Sequence, residues 1–361
     1  MLDGKDHPSI SGADDPGVEA RAYQSTNPTD GTLIRTPRRP FYRTRRGVII
    51  IIMTFFVIVA AIVGGRHFST SSGPGTTQLP PEILSIPSGE IVDTYDFGVL
   101  NLQLLKTSSV CAQHPTITLS APAGAVILGG GAYVDWSDGP CAPPSPPGNL
   151  LTAMYPNEKG TTWTVASKDH FQVNMATVTA YCIIAKMKNG KPISSENYTV
   201  VSGTSNKAGQ PTLQVDVPPG FIVVGGGARA DYTGVGNMLF ASYPAVGLAG
   251  WVGSAKDHLQ SDPATITVWA IGLRESFLSQ AGMNVSSLNA TSSPAVNHPS
   301  KAFDVPNFYL TGVGARVNWH GVGSLLTSSF PKDRRTVVAE GKDHLEADPS
   351  TITAYAVGFQ G

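Results

Sequence analysis

The chain has 361 residues, enough to bury a sizeable core, and a formal net charge of −1 with only 14% charged residues. Outside one arginine cluster nothing basic is concentrated, so the positive face that a nucleic acid needs to neutralise its phosphates is missing. The 39 glycines and 28 prolines describe a turn-rich chain of short strands and argue against a helical bundle.

Residues 1–46 are rich in Asp, Pro, Ser and Thr, show no periodic apolar pattern, and read as a disordered tail. Six arginines lie between Arg35 and Arg46 with no acid among them. Residues 47–65 follow without a single charge, and nineteen helical residues at 1.5 Å each span roughly 28 Å, close to a bilayer core. A secretory signal peptide would begin near residue 1, so the run predicts a transmembrane helix acting as signal-anchor. The arginines on its N-terminal side predict a single-pass type II protein, with the tail cytoplasmic and the C-terminal part extracellular or lumenal. Residues 66–94 read as a flexible extracellular stalk.

Beyond the stalk one phrase recurs: Lys168-Asp169-His170, Lys256-Asp257-His258 and Lys342-Asp343-His344, at spacings of 88 and 86. Each copy precedes a Thr-apolar-Thr strand pattern, which predicts three internal repeats over 95–187, 188–275 and 276–361. Within each, an alternating strand such as Leu213-Gln214-Val215 leads through a proline turn to a strand ending in a glycine cluster. A strand ending in aromatic-Pro follows at Tyr155-Pro156, Tyr243-Pro244 and Phe330-Pro331. The closing strands near Thr177, Thr265 and Thr351 are apolar on both alternate faces, as strands buried on both sides are. No window beyond the anchor has a period of 3.6, so the class is all-β with five or six strands per repeat. A closed pseudo-threefold assembly of such units resembles in plan the β-prism lectins, and tandem β-sandwiches are the alternative.

The glycine clusters at Gly129-Gly130-Gly131, Gly225-Gly226-Gly227 and Gly312-Val313-Gly314 do not open helices, so they do not read as phosphate loops. They predict a bulge or a close backbone approach within a sheet. Cys111 and Cys141 fall in loops of an oxidising compartment and predict a disulfide, with Cys182 a buried free thiol. Sequons at Asn197, Asn284 and Asn289 predict a glycoprotein.

Two residue sets are candidates for function. Asp135-Trp136, Asp231-Tyr232 and Asn318-Trp319 follow the glycine clusters, and an aromatic face beside a hydrogen-bonding neighbour suits the C–H face and hydroxyls of a sugar. The Lys-Asp-His loops read first as turns in which the aspartate accepts backbone N–H groups, the lysine is solvated and the histidine packs beside it. Only convergence of His170, His258 and His344 would make a metal cage, and no motif or cysteine spacing implies a cofactor. No nucleophile elbow or zincin motif is present, so an enzyme is the less favoured class. These features predict a lectin-like, membrane-anchored binding protein for cell-surface glycans. An adhesive surface protein with protein partners is the first alternative, and a hydrolase built on an Asp-His loop the second.

Overall fold

The computed structural model describes residues 89–137, 141 and 148–361. The expected tail, the span over 47–65 and the stalk as far as residue 88 lie outside the described residues. Among the described residues no helix is long and apolar enough to cross a membrane.

The described chain is nearly all β, as its alternation predicts. It begins with β1 (Glu90–Phe97), which starts inside the stretch that reads as stalk. Only Tyr95 of that strand is fully buried, and a polar edge strand with one inward ring carries little hydrophobic signal. The Tyr95 hydroxyl donates to the Leu310 carbonyl at 2.8 Å, tying the start of the fold to a strand more than 200 residues away.

The first segment continues with β2 (Leu100–Ser108), β3 (Thr116–Ser120), β4 (Val126–Asp135), β5 (Leu150–Pro156), β6 (Thr162–Lys168) and β7 (Thr177–Met187). The second comprises β8 (Tyr198–Thr204), β9 (Thr212–Asp216), β10 (Phe221–Asp231), β11 (Met238–Pro244), β12 (Gly250–Lys256) and β13 (Thr265–Arg274). A short helix, α1 (Glu275–Gln280), leads to β14 (Asn284–Thr291), β15 (Ser300–Asp304), β16 (Phe308–Asn318), β17 (Leu325–Pro331), β18 (Thr336–Lys342) and β19 (Thr351–Gln360).

These strands form three antiparallel sheets, in the orders β1-β2-β7-β4-β17-β18-β15, β3-β6-β5-β10-β13-β8 and β14-β19-β16-β11-β12-β9. Each sheet therefore joins ribbons from two different segments, three strands from each in two of the sheets and four plus three in the sheet that contains β1. The seams are short: Ala132 and Tyr133 face Ser329 and Ser328, Ala228 and Arg229 face Met154 and Ala153, and Ala315 and Arg316 face Ser242 and Ala241. Stacked rings support each seam, with Tyr155 on Trp269 at 4.5 Å, Tyr181 on Phe330 at 4.8 Å and Tyr243 on Tyr355 at 5.0 Å between centres. The aromatic of each aromatic-Pro pair thus packs on the closing strand of another segment, an arrangement worth about 0.5–1.5 kcal/mol beyond area burial.

The glycines explain why the sheets approach closely. Each cluster opens with a register shift, at Ile127/Gly129, Val223/Gly225 and Leu310/Gly312. A Cβ on Gly129 would lie 2.4 Å from the Thr311 carbonyl oxygen, one on Gly225 2.2 Å from that of Leu128, and one on Gly312 2.7 Å from that of Val224. The third segment's valine also has a packing account. A Cβ on Gly226 would meet the Trp251 ring at 2.4 Å and one on Gly130 the Trp163 ring at 2.6 Å. In the third segment Val337 stands opposite Pro331 where Trp163 and Trp251 stand opposite Pro156 and Pro244. A smaller side chain on one strand leaves room for Val313 on the other, which keeps the interior volume filled.

The closing strands are buried on both faces: Ile266, Val268 and Ala270 on one side of β13, Thr267, Trp269 and Ile271 on the other. Cys111 and Cys141 form the predicted disulfide, and Cys182 is free and buried. Asn284 and Asn289 are exposed on the edge strand β14, and Asn197 is half-buried in the turn before β8.

Candidate functional site

Lys168, Lys256 and Lys342 are the last residues of β6, β12 and β18, and each passes its chain directly into the Asp-His turn. The sequence reading places these lysines in solvent. They are instead buried, at 3%, 1% and 1% exposure. Their stems cross a seam, and each ammonium lies over an aromatic ring of another segment: Lys168 over Tyr232 at 5.1 Å, Lys256 over Trp319 at 4.6 Å and Lys342 over Trp136 at 4.1 Å. The two predicted residue sets are thereby brought together in a cyclic interlock, one contact per seam. Lys168 also donates to the Val235 carbonyl at 2.5 Å and Lys256 to that of Val322 at 2.6 Å. Burial lowers the pKa of all three, to about 8 for Lys256 and Lys342, against the opposing pull of neighbouring aspartates.

The half-buried aromatics therefore already use one face on a lysine. Asp231 and Asn318 point into the sheets, where Thr267 Oγ1 donates to Asp231 at 2.6 Å and Asn318 Nδ2 donates to Thr351 and Thr353. Asp135 is half-buried at the end of β4.

Of the three Lys-Asp-His aspartates, Asp169 accepts a backbone N–H as the sequence suggests, and two later aspartates, Asp262 and Asp348, do the same for other loops. Asp169 accepts the Asn174 backbone N–H at 3.1 Å. Asp262 holds Gly234 and Gly236, and Asp348 holds Gly321 and Ser324, through backbone N–H groups, which fixes the loops after Tyr232 and Trp319.

Sequence reasoning overlooked His114 and His298. His114 Nε2 lies 2.9 Å from Asp169 and His298 Nε2 lies 3.2 Å from Asp343, both histidines being more than half exposed. The available signal was a His-Pro pair at 114–115 and 298–299, with Gln210-Pro211 in the corresponding place.

Beside these groups open two matching clefts. One of about 250 Å³ is lined by Gln113, His114, Asp169, Phe171, Gln172 and Val235, and one of about 270 Å³ by Gln210, Asp257, Leu259, Gln260, Trp319 and Val322. Each is walled by a Lys-Asp-His loop on one side and by the loop after an aromatic of another segment on the other. A third opening of about 210 Å³ lies beside Trp136, His298 and Glu340.

The histidines converge. His170, His258 and His344 are each 1% exposed, with ring centres 5.0, 5.2 and 5.3 Å apart. His258 Nε2 faces the carbonyl of His344 at 2.5 Å, and His344 Nε2 that of His170 at 3.0 Å. His258 Nδ1 faces the Val322 carbonyl at 2.6 Å. The His258 carbonyl biases His170 towards protonation, yet neither ring nitrogen of His170 completes a hydrogen bond. Burial, then the neighbouring histidines, lower the His170 pKa to about 3, and burial lowers that of His258 against the pull of its two carbonyls.

The residue after each histidine has a positive φ: Phe171 at 61°, Leu259 at 58° and Leu345 at 65°. Gln172 N–H donates to the His170 carbonyl at 2.7 Å and Gln260 N–H to that of His258 at 2.6 Å, the i→i+2 closure of a strained γ-turn. All three apolar side chains are about half exposed, with Val173 and Val322 nearby in chain and cleft. No protein-family model matches the chain, and no curated protein matches it significantly.

Proposed function

We propose that the chain is a membrane-anchored, extracellular carbohydrate-binding protein. Its segments 95–187, 188–275 and 276–361 are copies of one β unit closed in a β-prism-like plan, and weak sites recur at the seams. The observation that carries this reading is the pair of equivalent clefts, each combining amide, carboxylate and apolar side chains. Such a mixture matches the hydroxyls and C–H faces of a sugar. Their volumes fall below the roughly 300–1,000 Å³ of a drug-sized pocket, which suits one sugar ring per cleft. Weak sites repeated on one rigid body gain from a ligand that spans them. Support for the threefold plan comes from the three identical seam pairings, the cyclic lysine-aromatic contacts and the glycine contacts between sheets.

The test is a glycan array probed with the detergent-solubilised full chain, alongside Gln172→Ala and Gln260→Ala. Both glutamines are exposed, so their loss should leave the melting temperature unchanged. Binding should fall about two- to tenfold for each variant and far more steeply for the pair, because avidity goes with the second site. A folded chain that binds no glycan overturns the reading. A protein partner is then the second reading, favoured by the exposed Phe171 and Leu259 in the clefts and by the equally exposed Leu345.

A further inference from the structure

We propose that His170, His258 and His344 are the protein ligands of a buried site for one divalent transition metal of the zinc class. The inference is independent of the glycan reading. Its first support is metric. A zinc–nitrogen bond of about 2.0 Å, plus about 1.1 Å from nitrogen to ring centre, places tetrahedrally arranged ring centres about 5.1 Å apart. The three observed separations are 5.0, 5.2 and 5.3 Å. One nitrogen from each ring falls within 4.8 Å of the others. That is wider than the roughly 3.3 Å between nitrogens on one zinc. Metal binding would therefore turn the rings so that their nitrogens point inward, which the matching ring centres allow.

The second support is an imbalance of protons. A neutral imidazole has one N–H and one lone pair. His258 nevertheless has both nitrogens against carbonyl oxygens, so one contact sets lone pair against lone pair unless the ring carries a charge in a buried place. His170 has the opposite problem, with two buried nitrogens and no hydrogen bond for either. Leaving a buried polar group unsatisfied costs about 1–3 kcal/mol. A metal resolves both: each ring turns a lone pair inward, and the outer N–H is free for a loop carbonyl. His258 Nδ1 already has such a carbonyl in Val322, the usual outer partner of a metal-bound histidine.

One further feature agrees: Phe171, Leu259 and Leu345, each directly after a histidine of the cluster, have the positive φ that non-glycine residues avoid, and strain of this kind collects where side chains are held for a purpose.

The experiment is elemental analysis of the full chain, purified in detergent without a polyhistidine tag or chelator, followed by cobalt(II) titration. About one zinc-class ion per chain is expected, and cobalt should give the visible absorption of a nitrogen-ligated tetrahedral site. His344→Asn should weaken cobalt binding by more than the 10- to 100-fold that outer-shell changes cost. His298→Ala, outside the cluster, should leave the stoichiometry unchanged. Wild-type chain that is metal-free, gives no cobalt spectrum and melts identically with and without added zinc overturns the proposal. So does stoichiometric metal that His298→Ala removes and His344→Asn does not.

Discussion

Lys256 and Trp319 meet across a seam between two segments: the ammonium lies 4.6 Å from the indole ring and donates to the Val322 carbonyl three residues further on. One side chain thus pins the ring and the loop that follows it. Burying the charge depresses its pKa to about 8, while a desolvated cation–π contact contributes about 2 kcal/mol and a charged hydrogen bond about 1.5–3. These terms nearly cancel. Lys256→Met, which keeps the stem, should change unfolding free energy by no more than about 1 kcal/mol, whereas Trp319→Ala should cost about 2–3. Denaturant melts decide this, and a loss above 3 kcal/mol for the methionine variant would show that the cation itself holds the seam.

Gly226 and Trp251 form a second coupled pair. Gly226→Val should destabilise by roughly 1–3 kcal/mol through overpacking against the indole. Adding Trp251→Val reproduces the Val313 and Val337 combination of the third segment, so the double variant should be more stable than the sum of the singles by at least about 1 kcal/mol. Strict additivity in the double-mutant cycle would remove the volume-exchange account.

Replacing Cys111 and Cys141 together by serine should lower stability by about 2–4 kcal/mol, since the bridge closes a loop across a sequence separation of 30. Cys182 should ignore thiol reagents until the chain unfolds, because burial pushes its pKa well above the usual thiol value. Rapid labelling of the native chain would contradict its burial.

The arginines between Arg35 and Arg46 predict the orientation proposed above, with the β region outside. Protease added to intact cells should remove the β region and leave a fragment of the tail plus the span; a protected β region would mean the opposite topology.

The all-β class, the Cys111–Cys141 pairing and the Asp169 turn were legible because each depends on local alternation, turn chemistry or loop context, whereas Asp262 and Asp348, which hold backbone N–H groups more than twenty residues away, were not. Lys256 shows where local reading stops. A lysine before Asp-His looks like a solvated turn residue, and nothing within ten positions announces that its stem will cross a seam onto Trp319. Phe330 is similar, since its apolar character predicts burial but not that it stacks on Tyr181. The tail, the span over 47–65 and the stalk to residue 88 rest on sequence alone. Which ribbons share a sheet, and that His170, His258 and His344 meet, only the tertiary structure decided. Strand periodicity is written in φ, ψ and side-chain polarity, residue by residue. Partner choice is set by contacts between positions about 60 or more residues apart, where glycine backbones touch and rings find one another.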